Sequence, residues 1–291
     1  MTAATAMKRA GQLTALAAAL ITAPASADFG LLNMTQGVTE SSREIYGLHM
    51  TIFMITVVIG VGVFGAMFYS IFRHRKSRGV TPSKFHHSTT MEIVWTVIPL
   101  VILVAMAVPA TRVLIDLDDT SGSEMTVKVT GYQWFWGYEY RGEDVQFLSR
   151  LSTDSDRARR LDSGIKPASV DNYLQNVDQR LVLPVDTRIR FQITGADVIH
   201  SWWMPDLGWK KDAIPGYVNE MWTEIEEPGV YRGRCAELCG RDHGFMPIVV
   251  EALPKAEFET WLANRQASGE GMTADADADT TPETDGELAA R

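Results

Sequence analysis

The chain has only two cysteines in 291 residues, too few for the disulfide framework that staples small exported domains. Neither stands in a Cys-x-x-Cys-His run, which excludes covalent attachment of a c-type haem to this chain. There is no Gly-rich phosphate loop and no Gly-x-Ser-x-Gly elbow, so nucleotide-binding and serine-hydrolase readings have no motif to rest on. Positive charge is scarce: 27 Lys and Arg stand against 36 Asp and Glu, a net charge of −9. A nucleic-acid partner requires a basic face, and this balance argues against one.

What is present is unevenly distributed. Residues 1–27 read as a signal peptide, with Lys8 and Arg9 at a basic start, an apolar middle from Leu13 to Ala23 and the small-residue site Ala25-Ser26-Ala27. Its removal places residues 28–44 outside the cytoplasm. Two apolar runs follow, Leu48 to Phe72 and Ile93 to Ile115, each long enough for about 30 Å of hydrocarbon at about 1.5 Å per residue. The loop 73–90 between them carries Arg73, Arg75, Lys76, Arg78 and Lys84 and no acid, which puts it on the cytoplasmic side. Residues 45–118 are therefore expected to form a two-helix transmembrane hairpin in membrane lipid, with both ends outside the cytoplasm. Pro99 and Pro109 lie in the second run, where neighbouring helices can satisfy the freed carbonyls. Glu92 sits at its cytoplasmic edge. An ionisable group there is a functional candidate, although a carboxylate that merely snorkels to the headgroups is the simpler reading of its position.

Residues 119–264 change character to short alternating runs punctuated by Gly, Pro and Asp, among them Met125 to Thr130, Arg180 to Pro184, Thr187 to Ile193, Met221 to Ile225 and Met246 to Val250. Such a pattern predicts an all-β antiparallel sandwich or barrel. A polar, charge-rich stretch at 148–178 interrupts it and reads as a surface insertion. Pro254 to Asn264 is expected to form a short closing helix. Residues 265–291, with seven acids and two arginines, read as a disordered acidic tail.

One segment concentrates chemistry: Cys235-Ala-Glu237-Leu-Cys239-Gly-Arg-Asp-His243-Gly-Phe-Met246, bracketed by two strand-like runs. It offers two thiols, an imidazole and a thioether in twelve residues. Soft sulfur with imidazole selects copper or zinc over magnesium or calcium, and a thioether beside them favours copper. A mononuclear blue-copper site needs one Cys and two His. Two cysteines on one loop can instead bridge two ions, each of which needs its own imidazole. His243 supplies one, and His200, placed at the end of a strand in Asp197-Val-Ile-His200-Ser-Trp, is the obvious second. Taken singly, a Cys235–Cys239 disulfide, a core His200 and a core Met246 are reasonable; taken jointly, the ligand mix favours metal.

At these residues the chain closely resembles subunit II of the bacterial haem-copper cytochrome c oxidases. The resemblance extends over the hairpin, the aromatic run Gly131-Tyr-Gln-Trp134-Phe-Trp136-Gly-Tyr-Glu139-Tyr, the His200 stretch, Lys211-Asp212-Ala-Ile-Pro-Gly216 and the metal loop. It implies a cupredoxin-like domain holding a binuclear copper-A centre. Cys235 and Cys239 would be the bridging thiolates and His200 and His243 the terminal imidazoles. Met246 would be a weak ligand to one copper and the Glu237 carbonyl to the other. It implies further that the Glu237 side chain reaches a magnesium or manganese ion shared with subunit I, where hard oxygen ligands suit such an ion. Trp134 matches the family's electron-accepting tryptophan, and Glu92, in Met-Glu-Ile-Val-Trp-Thr, matches the glutamate at the mouth of a proton path. The implied partners are the haem-bearing subunit I, subunit III and cytochrome c, whose basic edge an acidic face would steer. Glu139, Asp144, Asp197 and Asp212 are the candidate docking acids. A quinol oxidase subunit, a nitrous oxide reductase domain and a membrane-tethered copper carrier are the rival readings. They are opposed respectively by the complete ligand set, by the short chain with its hairpin, and by Glu237 with the aromatic run.

Overall fold

The computed structural model describes residues 32–81 and 86–269. The expected signal peptide, part of the basic loop and the expected acidic tail from residue 270 lie outside the described residues. Residues 1–35 cluster as a separate unit, of which 32–35 are described; there the Asn33 carboxamide oxygen accepts from the Met34 N–H at 2.9 Å.

The remainder begins with two long helices, α1 (Glu40–Arg73) and α2 (Thr89–Asp118), which pack against each other. Both are long and apolar enough to cross a membrane. Their apolar side chains are turned outward, Val58 at 69% exposed, Val61 at 70% and Trp95 at 60%, as lipid-facing groups must be. Pro99 and Pro109 sit inside a continuous α2. The first helix starts earlier than its apolar run. Thr39 Oγ1 accepts from the Ser42 N–H at 2.9 Å and Ser42 Oγ accepts from the Thr39 N–H at 3.1 Å, a reciprocal cap that starts the helix at Glu40, inside the segment expected to precede it.

Among the described residues ten strands follow, in two five-stranded sheets. The first holds β1 (Met125–Tyr132), β2 (Phe135–Tyr140), β3 (Val145–Ser149), β5 (Ile189–Gly195) and β8 (Asn219–Thr223), in the order β3-β2-β1-β5-β8. The second holds β4 (Leu181–Pro184), β6 (His200–Met204), β7 (Trp209–Ala213), β9 (Gly229–Cys235) and β10 (Pro247–Leu253), in the order β4-β10-β9-β6-β7. The expected hairpin followed by an all-β cupredoxin-like sandwich is present, but the sheets are mixed rather than purely antiparallel: β1 runs parallel to β5 and β10 parallel to β4. Period-two alternation reports which face of a strand is buried and not which way its neighbour runs. In β5 the alternation is complete, with Ile189, Phe191 and Ile193 at 0% exposed and the residues between them partly exposed.

The two sheets enclose a core centred on Trp136, Phe191, Trp202 and Trp209. Trp202 lies with its ring centroid 5.3 Å from Phe191 and 5.0 Å from Trp209. Residues 150–180 connect β3 to β4 and include α3 (Thr153–Ala158); residues 148 and 149, placed in the insertion from sequence, belong to β3. The closing helix α4 (Lys255–Ser268) packs Phe258 and Trp261 on Tyr140 and runs four residues past its expected end at residue 264, into the stretch read as a disordered tail, where Arg265 donates to Gln179 Oε1 at 2.7 Å and Gln266 to the Glu143 carbonyl at 3.0 Å.

Both ends of the hairpin are tied to the sandwich. At the start of α1 the Val38 N–H donates to the Asp206 carbonyl at 2.8 Å, Thr39 Oγ1 donates to the Leu207 carbonyl at 3.3 Å, and Arg43 pairs with Glu226 at 2.6 Å. Gly208, in the left-handed region at φ +84, lies so close to Ser42 that a Cβ would come within 2.6 Å of its Cα. At the end of α2 the Trp222 indole donates to the Asp116 carbonyl at 2.8 Å.

Candidate metal centre

The sulfur-rich segment is the loop between the antiparallel neighbours β9 and β10, as its bracketing runs suggested. Cys235 ends β9 and its N–H donates to the Met246 carbonyl at 3.3 Å, closing the loop on itself. The Ala236 N–H donates to the Ser201 carbonyl at 2.9 Å, tying the loop to the strand that carries His200. His200 opens β6 rather than ending the preceding strand, since β5 stops at Gly195.

These ties gather every expected ligand. The donor atoms of His200, Cys235 and Cys239 all lie within 4.8 Å of one another, and all three residues are buried. The two Sγ atoms are 3.9 Å apart, both cysteines are free, and the separation is far beyond the disulfide bond length of about 2.05 Å. Cys239 Sγ is 3.6 Å from His243 Nδ1 and 3.5 Å from Met246 Sδ, and Cys235 Sγ is 3.4 Å from the Glu237 carbonyl. Glu237 is exposed.

The electrostatics of the cluster are those of a site that accepts a cation. Burial opposes ionisation of Cys235, but His200 and backbone groups of Ser201 and Glu237 outweigh it and hold this thiol below the ordinary value. Burial and the adjacent Cys235 push the Cys239 thiol far above it. Two thiolates at this separation need a positive ion between them. His200 is 0% exposed, its Nε2 lies 2.8 Å from Asp197 Oδ1, and its Nδ1 makes no hydrogen bond of ordinary geometry, having only the Cys235 sulfur to face. A buried nitrogen without an ordinary hydrogen bond costs about 1–3 kcal/mol unless a ligand takes it. A soft cation on Nδ1 and the two sulfurs removes both penalties, so the residues present fit copper.

The remaining expected site residues are distributed as follows. Trp134, partly buried, donates from its indole N–H to the Cys239 carbonyl at 3.3 Å, while Trp136 is fully buried in the core with its ring 5.9 Å from His200. Gly240, at φ +120, makes room for that contact; a Cβ there would come within 3.1 Å of Trp134 Cζ2. Asp197 spends both carboxylate oxygens inside the site, accepting from the N–H groups of Val198 at 2.6 Å and Gln133 at 2.7 Å besides its contact to His200. Burial would raise its pKa, yet those bonds hold it below the ordinary carboxylate value. Asp212 accepts from the Ser201 hydroxyl at 2.7 Å. Glu139 is paired with Arg141 at 2.6 Å and Lys128 at 3.6 Å, so its charge is largely answered locally. Asp144 is exposed in the β2–β3 turn, at the far end of β2 from Trp134. Glu92 lies in the exposed first turn of α2, away from the metal loop in the chain. Sequence reasoning did not single out two further residues. Gln133 donates to the Cys239 carbonyl at 2.8 Å. Gly131 lies against His200, where a Cβ would meet the ring at 2.8–3.0 Å.

A helical membrane anchor carrying a β-sandwich, with sulfur and imidazole converging at one loop, defines a membrane-bound metalloprotein with a soft-metal site. Comparison with known proteins is specific. The family described as cytochrome C oxidase subunit II, transmembrane domain, matches residues 27–113, and cytochrome C oxidase subunit II, periplasmic domain, matches residues 125–253. A probable cytochrome c oxidase subunit 2 of Rickettsia bellii is 40% identical over 232 residues, 78% of this chain and 82% of that protein. The cytochrome c oxidase subunit 2 of Cereibacter sphaeroides is 36% identical over 236 residues, 78% of this chain and 77% of that protein. The crystal structure of the periplasmic domain of subunit II of cytochrome oxidase of Bradyrhizobium japonicum is 37% identical, covering 51% of this chain and 98% of that one with a TM-score of 0.44. The chain belongs to the cytochrome c oxidase subunit II family and is a membrane-bound subunit of an oxidoreductase complex.

Proposed function

We propose that this subunit accepts electrons one at a time from cytochrome c at a binuclear copper-A centre and passes them to haem in subunit I, where oxygen is reduced to water. The observation that carries this reading is the buried cluster of Cys235, Cys239 and His200, with His200 Nδ1 left to face the Cys235 sulfur. His243, Met246 and the Glu237 carbonyl complete the ligand set. The copper pair, when bound, supplies one-electron transfer with the charge shared over two ions.

The chain's own residues make that transfer easy. Strand-anchored ligands change position little between oxidation states, and the closed loop keeps water from the sulfurs. Asp197 fixes the His200 ring, the usual task of a carboxylate behind a metal-bound imidazole. Trp134, bonded to the carbonyl of Cys239, gives an arriving electron a short route inward from the surface. The exposed Glu237 carboxylate supplies a hard ligand for magnesium or manganese at the boundary with subunit I. Glu92 stands at the mouth of a proton path, and Asp144, with whatever charge Glu139 and Asp212 leave unanswered, steers cytochrome c. In this reading the membrane is a bacterial inner membrane with both termini outside, and subunit III completes the assembly.

The test is a metal count on the full-length chain in detergent. Two coppers per chain and an unpaired electron shared between them are expected. One copper per chain, or an electron localised on a single copper, overturns the binuclear reading.

A further inference from the structure

We infer that Arg159, in the segment between β3 and β4 that the sequence marks only as an insertion, is a positioning residue for the metal loop. It clamps the turn that carries His243 and cancels the charge of Asp242 beside it. The inference rests on the copper reading above and adds a residue to it.

The segment is a built element. α3 buries Ser155 at 0% and Ala158 at 4% exposed, and the Ser155 hydroxyl accepts from the Leu174 N–H at 3.1 Å. Arg159 follows α3 directly. Its Nε donates to Asp156 Oδ1 at 2.8 Å, which aims the guanidinium outward from the segment. Its two terminal nitrogens then reach both oxygens of Asp242, at 3.3 and 3.4 Å, a fork on a carboxylate that lysine could not reproduce. The guanidinium carbon also lies 4.5 Å from the centroid of the Phe245 ring.

Asp242 and Phe245 stand on either side of His243 in a single short turn, closed by the Phe245 N–H donating to the Asp242 carbonyl at 2.9 Å. That turn is three residues long and has no side-chain cap of its own. It is held instead from outside, by one residue touching both of its flanks. The pairing is also partly withdrawn from water, with the Arg159 and Asp242 side chains 26% and 18% exposed. The other cation near Asp242, Arg241 at 3.6 Å, is 81% exposed and its field is correspondingly screened. Arg159 is therefore the effective counter-charge for a carboxylate one residue from a ligand.

Two consequences of opposite sign follow. Removing Arg159 leaves a negative charge that favours the more positive, oxidised site and lowers its reduction potential. Removing the charge of Asp242 takes a negative charge away from the site, leaves Arg159 paired with Asp156 alone, and raises the potential. A purely structural role predicts no such reversal.

The experiment measures the copper potential, the copper spectrum and the rate of copper loss to a chelator for the full-length chain. The variants are Arg159→Ala, Arg159→Lys, Asp242→Asn and the Arg159→Ala/Asp242→Asn double. Expected are a fall in potential for Arg159→Ala, a rise for Asp242→Asn and a return toward the parent value in the double variant. Copper loss from Arg159→Ala is expected to be about ten-fold faster, in the range found when second-layer partners of metal ligands are removed. Arg159→Lys is expected to keep most of the potential and lose part of the retention. Shifts of the same sign in the two single variants, or none with unchanged copper loss, overturn the inference. Should Arg159→Ala fail to fold, Arg159→Lys and Asp242→Asn still decide it through retention and sign. A parent chain that takes up no copper overturns the underlying reading and this inference with it; a parent that loads beside variants that match it overturns this inference alone.

Discussion

Asp197 Oδ1 lies 2.8 Å from His200 Nε2, and the other nitrogen of that buried ring makes no hydrogen bond of ordinary geometry. An ionised carboxylate only accepts hydrogen bonds, so Nε2 is the proton donor to Asp197 and Nδ1 is the nitrogen left to face the sulfurs. In the copper reading, a residue offered by sequence as a docking acid orients a ligand instead. Asp197→Ala is expected to weaken copper retention by roughly 10–100-fold, read by chelator competition, while the salt dependence of electron transfer from cytochrome c stays as it was. Intact retention with an altered salt dependence would return Asp197 to a docking role.

Gly131 offers a second way to disturb the same imidazole. The Cβ of Gly131→Ala would stand 2.8–3.0 Å from ring atoms of His200, in a core where neither can retreat. The variant is expected to lose copper or show a changed copper spectrum with strand content unchanged by circular dichroism. A normal spectrum at full metal loading would show that the ring accommodates the methyl.

Trp134→Phe removes the indole N–H that reaches the Cys239 carbonyl while keeping an aromatic ring. Slower oxidation of cytochrome c at an unchanged copper spectrum is expected from stopped-flow kinetics. Unimpaired transfer would reject Trp134 as the electron-accepting residue.

Tyr140 tests the scaffold apart from the site. Its hydroxyl donates to the Val182 carbonyl at 2.7 Å and accepts from the Val182 N–H at 3.1 Å, linking β2 of one sheet to β4 of the other. Tyr140→Phe leaves both backbone groups buried and unmet, so a loss of about 1–3 kcal/mol is expected in chemical unfolding of the full chain. Copper content should be unaffected. A loss of copper at normal stability would mean that this cross-link also sets the loop.

Glu92→Ala addresses the membrane end. Slower turnover of the assembled oxidase with an intact copper spectrum is expected. Unchanged turnover would leave Glu92 as an interfacial carboxylate.

The clustering of the proposed ligands was legible in the sequence because four of them, with the Glu237 carbonyl, occupy one loop, where chain spacing alone forces proximity. The hairpin was legible because lipid imposes its length on composition. The rest depends on contacts between residues distant in the chain. The parallel pairing of Met125 with Ile189 joins strands separated by a long connection, and alternation along either strand is blind to it. Gly131 meets His200 across the sandwich, and Arg159 meets Asp242 across the whole middle of the domain. The early start of α1 was hidden for another reason: its first turns are polar, and only the reciprocal bonds of Thr39 and Ser42 mark the boundary.

The attachment of the sandwich to both α1 and α2 has a kinetic meaning. A domain hung on one flexible tether swivels, and its distance from anything in the bilayer fluctuates. With Val38, Thr39 and Arg43 fastened at one strut and Asp116 at the other, the sandwich has no free joint about which to swing. Tunnelling falls exponentially with the gap to be crossed, so two anchored struts turn a fluctuating gap into a fixed one. Under the proposed electron transfer, the hairpin is then a ruler as well as an anchor, setting how far each departing electron must travel.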